Sequence, residues 1–372
     1  MNRTFHLAAL LLMLIPSALR ATPADATRVQ KSYQLSLDNW SRNVAAATTP
    51  EARAKVWSTR PDPAVAAKQM WAVIGLELRE PWTLEPASWF LSIASGLRNT
   101  QPNGNSSKTF AEEIKAIYAA VETYHLKSPS ATAAEPSKLP TLCLALAASD
   151  DPRSLALLEK IQTLHTDKKI RGVAALAIAM RLKFLGDDPS LMSKRLTLLR
   201  SAIIDSAEVE INGTSVAKLA EDELYIIRFL TKGRIAPDLI GTDSGALPMK
   251  LSNSAGKVIV LLFWNSDVPE AAHVLEMATA MNKKFAGKPF AIFGINNDST
   301  ASLREMQKKP DLITFPNFSD PKNHLAREYR IGIWPLAYVL DGQRKIHYAG
   351  PPGSFGDITV AALLEESKPS AK

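Results

Sequence analysis

Few residues in this chain are of types that do covalent or metal chemistry, and their spacing narrows the choice further. Cys143 is the one cysteine in 372 residues, so no disulfide can close within the chain. Leu142, Leu144, Ala145 and Leu146 surround it, with no nearby base to favour a thiolate, so it is expected to be a buried small hydrophobe. The histidines beyond the first residues, His125, His165, His273, His324 and His347, form no i,i+4 pair and no cluster with cysteine. Neither a metal nor a cofactor is therefore expected. No glycine-rich phosphate loop and no G-x-S-x-G elbow occurs. Asp267 and Glu270 offer paired carboxylates for acid–base work. The competing reading, two acids complementing the positive end of a helix, is the stronger one.

Those two acids sit inside VIVLLFWNSDVPEAAHVLEM, Val258 to Met277. An apolar run of strand length ends in Phe263-Trp264, a turn follows, and an amphipathic helix begins. The surrounding chain supplies more elements of the same kind. Lys257–Trp264, Phe290–Ile295 and Leu336–Leu340 are predicted strands, and Asp341 to Lys345 turns into a fourth at Lys345–Tyr348. Helices are predicted over Val268–Phe285, Ala301–Lys308, Lys322–Tyr329 and Gly356–Glu366. The pattern describes an α/β domain with a mixed central sheet.

Before about Gly233 the period is helical. Apolar residues recur at three and four over Ala66–Leu78, Phe110–Leu126, Arg153–His165 and Ile170–Gly186. Asn99–Lys108 reads as a loop and Ser128–Lys138 as a linker, both rich in residues that end periodic segments. Asp150-Asp151-Pro152 recurs 37 residues later as Asp187-Asp188-Pro189, each at a helix start. Two readings stay open: α-hairpins of a tetratricopeptide-like array, or two unrelated helices sharing a cap.

Length and charge limit the function classes. A chain of this size holds two or three domains at roughly 100–200 residues each. The first residues, MNRTFHLAALLLMLIPSALRATPADA, have the parts of an export signal: Arg3, an apolar Leu7–Ile15, and small-residue cleavage sites after Ala26 or Ala21. No later run reaches the ~20 apolar residues of a membrane span. Removing residues 1–26 takes out Arg3, Arg20 and Asp25, so the formal charge of +7 falls to +6. The basic residues are scattered, with no runs and no interleaved aromatics, so nucleic acid is not an expected partner. The expected protein is exported, periplasmic or extracellular. Its expected parts are a signal peptide (1–26), a helical region (27–127), a linker (128–138), a helical α-hairpin region (139–232) and an α/β domain (233–368).

The C-terminal portion resembles the thioredoxin-like superfamily, and more narrowly the exported redoxins of the TlpA/ResA type, related to AhpC/TSA. The matching residues are Gly233-Arg234-Ile235-Ala236-Pro237-Asp238, then Lys250-Leu251-Ser252 before Gly256-Lys257-Val258-Ile259-Val260, then Phe263-Trp264. Tyr329-Arg330-Ile331-Gly332-Ile333-Trp334-Pro335 with Leu336 to Asp341 completes the set. The resemblance implies a Cys-x-x-Cys pair at the helix start. An ungapped match puts those positions at Val268 and Ala271, and a shift of one, aligning Pro269 with the inner proline, puts them at Asp267 and Glu270. Neither register holds sulfur, so the electron transfer of these enzymes is not carried over. The resemblance also implies a cis Pro335, preceded by a residue that pairs with an extended peptide. Trp264, Asp267, Pro269, Trp334 and Pro335 are therefore the expected partner-binding residues, with ordinary packing of the two tryptophans as the competing reading. The expected function is peptide or protein binding, or scaffolding. The alternative is a thiol–disulfide oxidoreductase that draws on Cys143 or on a partner's thiol, and a spacer without a site is the third reading. An enzyme would need Cys143 exposed beside Trp334-Pro335.

Overall fold

A computed structural model describes residues 20–47, 55–100, 106–126, 137–186, 188–268 and 270–366. Most of the export signal, most of the 128–138 linker and Pro269 lie outside the described residues.

The first half is helical. It runs α1 (Pro23–Ala46), α2 (Pro63–Ile74), α3 (Leu84–Ala94), the strands β1 (Arg98–Thr100) and β2 (Ser106–Lys108), and α4 (Ala111–Ala120). It continues through α5 (Leu139–Ala148), α6 (Arg153–Leu164), α7 (Lys168–Leu182) and α8 (Pro189–Ser206). The hairpin β3 (Glu210–Ile211) and β4 (Thr214–Ser215) then leads into α9 (Val216–Tyr225), which ends in a wider π turn at Ile226–Leu230. α7 is the centre: Ile170, Val173, the whole run Ala174 to Ala179 and Leu182 are all buried. A helix apolar on every side has to be wrapped by others, and small residues let them approach. At Gly172 an added Cβ would stand 2.5 Å from Ser206 Oγ and 2.9 Å from Asp205 Cβ, which marks the close approach of α8. The two ends of the expected loop at Asn99–Lys108 are corrected to paired strands, Arg98 opposite Lys108 and Thr100 opposite Ser106, with 101–105 outside the described residues. Their polar side chains hide the pairing from a hydrophobic pattern. Of the two Asp-Asp-Pro starts, Asp188 caps α8 through Ser190 and Leu191 N–H, whereas Asp151 bonds Arg153 N–H at 2.9 Å ahead of α6.

The second half is the mixed five-stranded sheet expected of a thioredoxin-like domain. After the hairpin β5 (Ile240–Thr242) and β6 (Pro248–Lys250) come β7 (Val258–Trp264), α10 (Ala271–Lys284), β8 (Phe290–Asn296) and α11 (Thr300–Gln307). β9 (Asn317–Ser319), α12 (His324–Glu328), β10 (Leu336–Leu340), β11 (Ile346–Gly350) and α13 (Ser354–Glu366) follow. The strand order is β11-β10-β7-β8-β9, with β7 parallel to β8 and antiparallel to β10. β7 is buried along its whole length because it feeds both faces. Val258, Val260, Leu262 and Trp264 enter a core under α10, α11 and α13, while Ile259, Leu261 and Phe263 enter another with Leu325, Ala326 and Tyr329. This is the period-2 alternation of a strand covered on both sides.

The second core also takes in Leu230 as a buried member, with Tyr225, Ile226 and Phe229 packed on it, so the last turn of the helical half covers the sheet. The connecting chain is fixed as well. Gly233 N–H donates to Ile346 C=O at 2.7 Å, Ile346 N–H to Arg234 C=O at 2.8 Å, and Ala236 N–H to Arg344 C=O at 2.9 Å. Among the described residues no helix is long and apolar enough to cross a membrane.

Candidate functional site

The C-terminal end of β7 opens into a turn over 265–268, and α10 starts at Ala271. Ala271 N–H donates to Val268 C=O at 3.1 Å, so these two residues bracket the first turn. Val268 is half-buried and Ala271 buried. Asp267 is exposed, its N–H bonded to Asn265 Oδ1 at 3.1 Å, and Glu270 is exposed at the N-cap without a side-chain capping bond. Both acids stand in solvent beside a helix start, the position where a carboxylate complements the helix dipole.

A polar brace holds the turn. Asp298 accepts from Ser266 N–H at 3.0 Å, Ser266 Oγ–H at 3.0 Å and Asn296 Nδ2 at 2.8 Å. Asn296 Nδ2 also donates to Trp264 C=O at 3.4 Å. Asn296 is fully buried and Asp298 nearly so, and a buried carboxylate that accepts several hydrogen bonds ties the turn firmly to the end of β8. Serine and aspartate here are used up in holding backbone. Sequence reading missed this brace, although Asn296-Asn297-Asp298 at a strand end was a visible signal.

Trp264 is corrected as a partner-contact residue. It is 0 % exposed, and its Nε1 donates to Oδ1 of the buried Asn317 at 2.8 Å. Its place in β7 puts it on the same face as Val258, Val260 and Leu262, under the helices. Gly294 makes room for this pair: a Cβ there would stand 2.8 Å from Trp264 Nε1 and 2.6 Å from Asn317 Cγ. Gly294→Ala is expected to destabilise the fold by about 1–3 kcal/mol through overpacking. Denaturant unfolding followed by Trp fluorescence measures it, with an unchanged midpoint as the contrary result.

On the opposite wall, the Trp334–Pro335 bond is cis. Trp334 and Pro335 are half-buried, and Ile333 is 63 % exposed. Phe263 fixes the wall from below, its ring 6.3 Å from Trp334 edge to face and 5.3 Å from Tyr329. Ile333 and Trp334 lie outside the β10–β7 ladder, which starts at Leu336 opposite Phe263. Arg330, at φ 51°, anchors the segment to the helical half: its Nε reaches Asp222 Oδ1 at 2.7 Å and its guanidinium lies 4.1 Å from the Tyr225 ring centroid.

Cys143 belongs elsewhere. It lies on α5, 0 % exposed, in the core of the helical half, and burial pushes its thiol up to about 12. The native protein is expected to resist iodoacetamide at pH 8 and to react once unfolded in guanidinium, as mass spectrometry would show. The sign of the pH effect follows. The unfolded thiol loses its proton from about 9.0, the folded one only near 12, so stability is full below pH 9 and falls as pH rises above it. Tyr118, Tyr329 and Tyr338, also raised by burial, add to the alkaline loss. Thermal melts across pH 7 to 11 test this.

Among the described residues no group of His, Cys, Asp or Glu is placed to hold a metal ion. Residues 232–349 match the model of the AhpC/TSA family. Solved structures similar to this chain include a thiol:disulfide interchange protein DsbE of Chlorobium tepidum, at 25% identity, covering 36% of this chain and 99% of that one with a TM-score of 0.33. A thiol:disulfide interchange protein of a Bacteroides species aligns at 21% identity over 38% of this chain and 95% of its own, TM-score 0.34. A thiol peroxidase of Chromobacterium violaceum aligns at 17% identity over 37% and 88%, TM-score 0.32. No curated protein matches the chain. The C-terminal third of the chain, residues 232–349, is a thioredoxin-like redoxin domain in a chain with a single cysteine.

Proposed function

We propose that this is an exported, redox-silent redoxin that binds an extended peptide or protein segment along the Ile333-Trp334 wall. The observation that carries this reading is the separation of sulfur from the groove: Cys143 is sealed in the helical core, and the helix-start positions hold Val268 and Ala271. Without a thiolate there is no attacking group for exchange. The wall itself has the features of a recognition surface. Ile333 and Trp334 present apolar area beside backbone that lies outside the sheet ladder, which suits pairing with an added strand.

The test is selection of peptides from a random library on the folded protein, followed by calorimetric titration of the winners. Binding is expected to weaken about 30-fold in Trp334→Ala, corresponding to a contact near 2 kcal/mol, measured at a temperature where circular dichroism shows the variant still folded despite the lost packing on Phe263. Peptides that bind Trp334→Ala equally well would place recognition elsewhere. Failure to enrich any sequence would sink the reading.

A further inference from the structure

We propose that export processing cuts the Ala21–Thr22 bond, not the bond after Ala26, and that Thr22 is the first residue of the working protein. The inference rests on the export reading above. Residue type favours the bond after Ala26, because Ala24-Asp25-Ala26 is small-x-small whereas Leu19-Arg20-Ala21 is not. Three observations outweigh it.

The first is what the residues between the two bonds are doing. Thr22 is the N-cap of α1, extended at φ −123° and ψ 161°, and Pro23 opens the helix. Thr22 and Asp25 form a reciprocal capping box: Thr22 N–H donates to Asp25 Oδ2 at 3.0 Å, and Asp25 N–H to Thr22 Oγ1 at 3.4 Å. Asp25 also pairs with Arg28 at 3.0 Å. Cutting after Ala26 removes the cap, the box and the acid of the ion pair together.

The second is burial. Ala26 is only 3 % exposed and belongs to the helical core, where Val29 of the next turn packs against the same cluster. A residue that the folded protein buries is part of the folded unit, whereas Arg20 is exposed and Ala21 lies outside the helix.

The third is charge and reach. Hydrolysis adds water across the bond, giving Ala21 a carboxylate and Thr22 a free amine that takes up a proton. An ammonium at a helix start opposes the helix dipole. At Thr22 it meets the Asp25 carboxylate already bonded to that nitrogen, and the hydrogen bonds with Thr22 hold that carboxyl below its usual range. At Thr27 it would meet Arg28 with no acid left upstream. The bond after Ala21 also lies closer to the apolar stretch ending at Ile15, and so nearer the membrane surface where a membrane-bound processing protease works.

The decisive experiment is intact-mass and N-terminal peptide analysis of the protein recovered from the exported fraction of bacteria expressing residues 1–372. A mature chain starting at Thr22 is the expected result. A start at Thr27, or at any other interior residue, overturns the assignment while leaving export in place. An uncut chain retained in the cell overturns the export reading and this proposal with it. A second measurement compares proteins beginning at Thr22 and at Thr27, each made directly. The longer is expected to melt higher by about 4 °C, from the lost cap and core contact. Equal melting temperatures would overturn the structural half of the argument.

Discussion

A variant carrying Val268→Cys and Ala271→Cys is expected to reduce insulin disulfides with dithiothreitol as electron source, whereas the natural protein leaves them intact. The prediction follows from what the turn retains. Residues 268 and 271 bracket the first turn of α10, linked by the Ala271 N–H to Val268 C=O bond, so two thiols there would lie one turn apart. The outer thiol would face the free N–H groups of the helix start, which favour a thiolate. A fall of its pKa from ~8.5 by one unit raises the reactive fraction at pH 7 about eightfold, and the gain levels off as the pKa nears 7. The Ser266–Asp298 brace keeps the turn on the sheet whatever occupies 268 and 271, because it uses other side chains and backbone. An inactive but well-folded double variant would mean that the turn does not hold the pair in exchange geometry. Activity in the natural protein that disappears in Cys143→Ser would restore the enzyme reading.

Glu223→Ala is expected to cost about 3 kcal/mol, the largest loss of stability from any one side chain considered. Glu223 on α9 accepts from Arg195 Nη2 at 2.9 Å and Lys183 Nζ at 2.8 Å. Arg195 is 0 % exposed, so removing the carboxylate takes a counter-charge from a buried guanidinium, and the desolvation of that charge is offset less. Glu223→Gln keeps the shape and one acceptor but not the charge, and should fall between the two. Urea unfolding of the three proteins measures the order. If Ala and Gln cost the same, shape matters little and charge carries the effect. If neither costs anything, the pair is not holding α7, α8 and α9 together.

Legibility in the sequence followed the chemistry of each element. β7, β8 and β10 announce themselves as unbroken apolar runs, because strands covered on both faces have no polar side to show. β9 gave no such sign. Asn317-Phe318-Ser319 follows Pro316 and reads as loop, yet Asn317 is buried because its amide satisfies Trp264 and Phe315. The β3–β4 hairpin turns on Asn212-Gly213, both at positive φ, and that dipeptide was a readable turn signal. Trp264 was misplaced since its position in the chain, next to the turn, says nothing of the helices that cover it. The alternation along β7 did carry its facing. The pairs Arg195–Glu223 and Arg330–Asp222 were out of reach, because no local pattern couples residues so far apart in sequence.

The expected boundary at Gly233 marks where the helical period stops, but the apolar packing does not divide there. Leu230 is sealed into the sheet's second core, and the strip Gly233 to Ala236 lies hydrogen-bonded along the β11 hairpin. A fragment beginning at Gly233 would be born with an open face where Leu230, Ile226 and Phe229 had been. A cut before α9 would not be clean either, because Val216 and Ala220 sit in the helical core and Glu223 pairs with the buried Arg195 of α8. Anything gripped at the Trp334 wall would be held at a set angle to the helices behind it, as a tool is held by its handle and not by a cord.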